Sequence, residues 1–242
     1  MGMIKSSKLL LVVILIFIAF FTITPVCSGN SAEPPSILII VPNAPSDLEI
    51  KIQSGDTYLS ARRTDKAMES YYTFYSNELE STKDYVLLVS THDSSFEIVL
   101  ERPVTMYNNI YTLNFRRQTL TPGKSLSRSI LLVSLRVALT LITEAIVFWL
   151  FGYRTKRSWL AFLNINLLSQ GTLNIILNGT SPLASYVIFG LIFGEIFVFI
   201  FESIAFLAFV KEHKAWRTFL YVLIANILSL VVGGYIITVL PI

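Results

Sequence analysis

Three carboxylates stand where carboxylates are rare. Glu144, Glu195 and Glu202 lie inside long apolar stretches, and Glu212 follows in a short basic segment. They are the only acidic residues between positions 126 and 242. A central charge costs about 2.5–3.5 kcal/mol on insertion scales, so such residues mark an ion path, a proton relay, a hydrolytic centre or a paired structural contact.

The polar residues around them recur at helical spacing. One stretch carries Arg136, Thr140, Thr143 and Glu144; the next carries Asn166, Gln170 and Asn174 at i, i+4 and i+8. Glu195 and Glu202 are seven apart and so nearly superposed, and Asn226, Ser229 and Gly233 follow at i, i+3 and i+7. One polar line per helix predicts a bundle that is polar inside and apolar outside. Gly190 and Gly194 form a small-xxx-small pair of the kind that lets two helices approach closely.

Several chemistries fit this pattern. Asn, Gln, Ser and Thr can simply bind helices together around neutral carboxyls. Alternatively, the glutamates serve a small proton, cation or solute transport element, although no internal repeat or broken helix accompanies them. A glutamate-based hydrolase would need only Glu195 or Glu202 with Asn166 or Asn226. With no His inside any apolar stretch, a metal-dependent intramembrane protease is disfavoured, and no cofactor motif is evident. Glu212-His213 could pair at a membrane edge, but between lysines a solvated loop is the simpler reading.

The elements that must position these residues follow from composition. The chain has 242 residues, 53% hydrophobic and 14% charged. Soluble domains carry roughly 25% charged residues, so part of the surface faces lipid. A net charge of +3 argues against a nucleic-acid partner. Four stretches reach the roughly 20 residues a span requires: 129–151, 159–177, 183–210 and 218–240. The third holds two carboxylates, about +6 kcal/mol, against roughly −8 kcal/mol from its Leu, Ile, Phe and Val side chains. The first carries both Arg136 and Glu144 and is near break-even. Arg136 therefore needs a partner on another helix or access to the outer interface.

Residues 1–28 read as a signal peptide: Lys5 and Lys8, an apolar run from Leu9 to Ile23, Pro25, then small residues before a cleavage point after Ser28. Cleavage would remove Cys27, the single cysteine, leaving a disulfide-free exported domain of a bacterial cell envelope. Residues 154–157 and 211–217 are basic while 178–182 is uncharged, which places both charged loops in the cytoplasm. Trp149, Trp159 and Trp216 fall at that border. Arg116, Arg117, Lys124 and Arg128 oppose the rule; either the long exported domain overrides them or they contact lipid headgroups.

The remaining 29–125 holds 12 of the 16 acidic residues. Seven strands are expected, at Ile37–Val41, Leu48–Ile52, Tyr58–Arg62, Tyr71–Tyr75, Tyr85–Ser90, Phe96–Glu101 and Tyr111–Arg116, as an antiparallel β-sandwich. Alternation is clear at Leu48–Ile52, Phe96–Glu101 and Tyr111–Arg116. Lys66–Tyr75 is also compatible with a helix. His92-Asp93 is read as a solvated turn, and Tyr58, Tyr71, Tyr72, Tyr75 and Tyr85 either fill the core or form a binding face.

The fold expected is thus an exported all-β sandwich (29–125) followed by a four-helix transmembrane bundle (126–242). The leading functional expectation is an envelope protein of the plasma membrane. Its external domain would bind a partner or ligand, and its polar-cored bundle would anchor or couple it to other membrane proteins. A homo-oligomer is also compatible.

Overall fold

The computed structural model describes residues 34–54, 57–79, 84–101 and 105–241. The expected signal peptide with Cys27 lies outside them. The described residues separate into two compact units that adjoin in sequence at Ser129 and Ile130.

The first unit is built from strands β1 (Ile37–Pro42), β2 (Glu49–Ser54), β3 (Thr57–Ser60), β4 (Arg62–Asp65), β5 (Glu69–Phe74), β6 (Asp84–Ser90), β7 (Ser95–Glu101), β8 (Asn109–Asn114) and β9 (Thr119–Pro122). One sheet runs β4-β5-β1-β8-β9 and the other β3-β2-β6-β7. A single apolar core lies between them. Ile37, Ile39, Val41, Tyr72, Phe74 and Leu113 come from one sheet; Ile50, Ile52, Leu87, Val89 and Leu100 come from the other. Period-two alternation produces this face: Ile50 and Ile52 point inward while Glu49 and Lys51 do not.

Three expectations need correction here. The ribbon expected at Tyr58–Arg62 is split at Ala61, whose N–H bonds Ile50 O at 2.9 Å. Before that point it pairs with β2, and after it with β5. Of Lys66–Tyr75, Glu69–Phe74 is the expected strand, extended by two residues, and the helical alternative falls because β5 pairs on both sides. The sandwich is also not wholly antiparallel, since β1 pairs in parallel with β8, Ile37 opposite Asn109. A parallel pair needs a long crossover, and here most of the unit forms it.

The central strands carry no alternation because they are buried on both faces. Every residue from Ile37 to Val41 is inaccessible to solvent, and β5 is buried from Glu69 to Phe74. Burying Glu69 requires a counter-charge, and Arg128 supplies it. Its Nε donates to Glu69 Oε2 at 2.7 Å, its Nη2 to Glu69 Oε1, and Nη2 also reaches the Tyr71 hydroxyl at 3.3 Å. Arg128 is therefore a buried pairing residue, not a headgroup contact. Tyr71, Tyr72 and Tyr85 are core residues, whereas Tyr58 is exposed. His92 bonds Asp47, not Asp93, at 2.8 Å and fastens two exposed turns.

The second unit is four helices: α1 (Leu126–Leu150), α2 (Lys156–Gly179), α3 (Ala184–Phe209) and α4 (Ala215–Val239). All four are long and apolar enough to cross a membrane. Their outer faces carry large apolar side chains such as Ile142, Ile146, Phe189, Phe193 and Val231, while the polar lines face inward. At the end bearing the charged loops, Phe148, Tyr153, Phe162, Phe206 and Tyr221 form an aromatic cluster, with Phe148 stacked on Tyr153 at 4.1 Å and 3°. Toward the other end, Leu173, Leu177, Val187, Leu191 and Ile237 form an aliphatic one.

Candidate functional site

The candidate site lies between those two clusters. Each helix contributes one stripe, and burial sorts its members. Glu144 and Asn166 are 0% exposed, Glu202 1% and Glu195 5%. The antiparallel run of consecutive helices brings their stripes into register, so three successive polar levels form.

At the first level Glu202 is held from two helices. Ser169 Oγ on α2 donates to Oε1 at 2.6 Å, and Asn226 Nδ2 on α4 donates to Oε2 at 2.7 Å. Asn226 Nδ2 also donates to Val222 O at 3.0 Å, which fixes the orientation of its amide. Asn166 belongs to this level, where the Tyr221 hydroxyl faces it. At the second level Gln170 Nε2 spans two carboxylates, with Glu144 Oε1 at 3.4 Å and Glu195 Oε2 at 3.5 Å. Both are long, weak bonds. The Asn174 Nδ2 donates back to Gln170 O at 2.9 Å.

At the third level Arg136, Gln170, Asn174 and Glu195 line one void, closed by Thr140, Leu191, Gly233, Ile236 and Ile237. Arg136 is 5% exposed and lines this void. The void offers about 10 Å³ to a water centre, the room of one molecule. The polar axis from Asn226 to Gly233 is about 10 Å long at 1.5 Å per residue. Apolar clusters cap it at both ends.

The two glycines act on the wall of this axis. A Cβ on Gly194 would come within 2.2 Å of Leu173 Cδ1, and one on Gly190 within 3.0 Å of Leu177 Cδ2. They let α3 press on α2, which is what brings Glu195 and Glu202 to Gln170 and Ser169.

Glu212 and His213 do different work. Glu212 Oε1 accepts the backbone N–H of Arg154 at 2.8 Å, and Oε2 accepts Thr155 Oγ1 at 2.8 Å. Thr155 caps α2, its side chain accepting Ser158 N–H at 3.3 Å. The carboxylate thus sits at the positive end of α2, beside Lys156 and Arg157, which that end repels. Desolvation opposes its charge, but hydrogen bonds from Ser158, Arg154 and Thr155 outweigh it and hold the carboxyl at about 2. His213 Nε2 lies 3.2 Å from Gly152 O. Gly152 has φ +83°, and a Cβ there would meet Arg217 Nη2 at 2.7 Å. The pair clamps one charged loop to the other.

Sequence reasoning missed Ser169 and Tyr221. Ser169 is three residues from Asn166 and adjacent to Gln170, so the helical spacing held a signal for it. Tyr221 looked like one more aromatic in an apolar helix. Among the described residues no cluster of His, Cys, Asp and Glu has metal-holding geometry. No known family model matches the chain, and neither curated proteins nor solved structures yield a match.

Proposed function

We propose that the protein is a non-enzymatic integral membrane protein of a bacterial envelope. The β unit is displayed outside the plasma membrane to bind a protein or envelope ligand, and the bundle anchors and couples it to other membrane proteins. In this reading residues 1–28 direct export, and the loops around Arg154 and Lys211 remain in the cytoplasm, as their charge favours. The observation that carries it is the sealing of the polar axis: side chains of neighbouring helices dress all three carboxylates, and the void beside them has room for about one water. An axis closed by aromatic and aliphatic clusters suits an anchor better than an open conduit.

The test is crosslinking in native membranes, with photo-reactive residues at exposed Tyr58 and Val99 of the β unit. Recovery of one defined partner from both positions is expected. A protein that stays monomeric, with no crosslinked species, overturns the reading. Proton or cation flux in liposomes that Glu195→Gln and Glu202→Gln abolish would establish the transport alternative in its place.

A further inference from the structure

The charged-loop end of the bundle holds cations with no anion to meet them. Residues 150–158 and 210–217 carry Arg154, Lys156, Arg157, Lys211, Lys214 and Arg217 against one carboxylate, Glu212. All six basic side chains are exposed, and none forms an ion pair with a carboxylate among the described residues. Glu212 does not serve them, because its oxygens accept the backbone N–H of Arg154 and the Thr155 hydroxyl, each at 2.8 Å. Arg154, Lys211 and Arg217 bend back onto backbone carbonyls at or beside the ends of α1 and α3. A helix C-terminus offsets roughly half a charge, so most of the positive charge stands uncompensated.

Arg154 is the most firmly posed of the six. Its Nη1 donates to Trp149 O at 2.6 Å and to Tyr153 O at 2.9 Å, and its Cζ lies 4.7 Å over the Trp149 ring. Nε and Nη2 are left without a hydrogen bond among the described residues. Those two nitrogens form the edge with which a guanidinium grips two oxygens of one phosphate. The long side chain is already ordered, so less entropy is lost when an anion arrives.

A second observation lies on the apolar side of the same spot. Ile142, Ile146, Trp149 and Leu150 follow at i, i+4, i+7 and i+8, so they share one face of α1, and each is more than half exposed. This stripe runs about 12 Å along the helix at 1.5 Å per residue and ends under Arg154. A free anion or an acidic protein would meet the guanidinium and leave the stripe bare. A phosphate head with a hydrocarbon tail matches both. We propose that this end of the bundle binds an anionic phospholipid, its phosphate held by Arg154 and an acyl chain laid along Trp149, Leu150, Ile146 and Ile142. The other five cations supply the field that favours an anionic headgroup over a zwitterionic one. The inference rests on the helices crossing a membrane, and on neither the sidedness of the loops nor a protein partner.

The test places the full chain in nanodiscs of equal parts phosphatidylglycerol and phosphatidylcholine, and native mass spectrometry counts the lipids that stay bound after ejection. An excess of phosphatidylglycerol of about fivefold is expected, the effect of one cation at an anionic surface. Arg154→Gln should bring the ratio close to one. Arg154→Lys keeps the charge without the fork and should lose most of the excess. Lys156→Gln removes the same charge from the same loop and should keep most of it. Equal retention of the two lipids by the parent overturns the proposal and leaves the six cations to an acidic protein. An excess that Arg154→Gln and Lys156→Gln lower alike also overturns it, since the loops would then act by diffuse charge. So does displacement of phosphatidylglycerol by millimolar inorganic phosphate, which would make the site one for the free anion. A chain that stays out of the nanodiscs overturns the membrane reading and this proposal with it; one that enters without a lipid preference overturns the proposal alone. The parent's ratio decides even where a variant fails to fold.

Discussion

Both units bury carboxylates, and they dress them differently. In the β unit Glu69 meets Arg128 in a two-pronged ion pair, with both side chains at most 10% exposed. In the bundle Glu202 meets only a hydroxyl and an amide. The first arrangement cancels a charge; the second solvates a carboxyl with neutral dipoles. The difference teaches what each site tolerates. Removing charge from the first strands a guanidinium, whereas removing it from the second leaves a hydrogen-bond pattern that another amide can copy.

Glu69→Gln tests that contrast most severely. It leaves Arg128 buried and uncompensated, so a loss of about 3–5 kcal/mol is expected, read by denaturant unfolding with hydrogen exchange at β1 and β5 amides. Pairing Glu69→Leu with Arg128→Met should recover most of it. Equal losses for the single and double variants would mean that packing, not charge, makes this contact.

Gly194→Leu comes next. Its side chain would be driven into Leu173, and a cost of about 1–3 kcal/mol from overpacking is expected, with α3 displaced from α2. Gly233→Ala, whose Cβ would lie 3.7 Å from Leu191, should be tolerated. The measurement is thermal unfolding in nanodiscs, and equal effects at the two glycines would sink the close-contact argument.

The carboxyl of Glu202 separates charge from hydrogen bonding within one site. Glu202→Gln can accept from Asn226 and donate to Ser169, whose hydroxyl is free to turn toward Ile165 O, 3.1 Å away. Its cost should stay below about 1 kcal/mol. Glu202→Ala strands both donors and should cost about 1–3 kcal/mol. If the glutamine variant proves the worse of the two, the carboxylate charge itself holds the bundle together.

What was legible in the sequence follows the same division. The bundle could be read because lipid makes every polar residue an exception, so Glu144, Gln170, Glu195 and Asn226 stood out at a 3.6-residue period. Small hydroxyls stand out less: Thr140 lies on a line marked by Arg136 and Glu144, whereas Ser169 shares the face of Asn166 at i+3 without marking it. The β unit was legible where one face meets solvent, as in β2 and β7, and illegible where strands are short or buried twice. Thr119–Pro122 is too brief to show a period. Nothing local announces that Ile37 lies parallel to Asn109, or that Glu69 awaits Arg128, 59 residues away. Pairings of that length are set by the assembled sheet and not by any window of sequence.

Glu212 gives the smallest effect and the finest comparison, because it has Glu202's chemistry without its burial. Its donors are backbone N–H groups and hydroxyls at a helix N-terminus, and solvent screens it, so its contribution should remain below about 1 kcal/mol. The sign is definite. Its carboxyl, held at about 2 in the folded chain, lies below the ordinary value of 4.5. The folded state therefore binds fewer protons than the unfolded one across that interval. The stabilisation is fully present above pH 4.5 or so and is lost as pH falls toward 2. Glu212→Gln should erase this slope, lowering the unfolding temperature at neutral pH but leaving it nearly unchanged at the acid end. The expected signature is two unfolding curves that converge with acid. Curves that stay parallel would mean that Glu212 joins the loops by shape alone, and the analogy with a charged helix cap would fail.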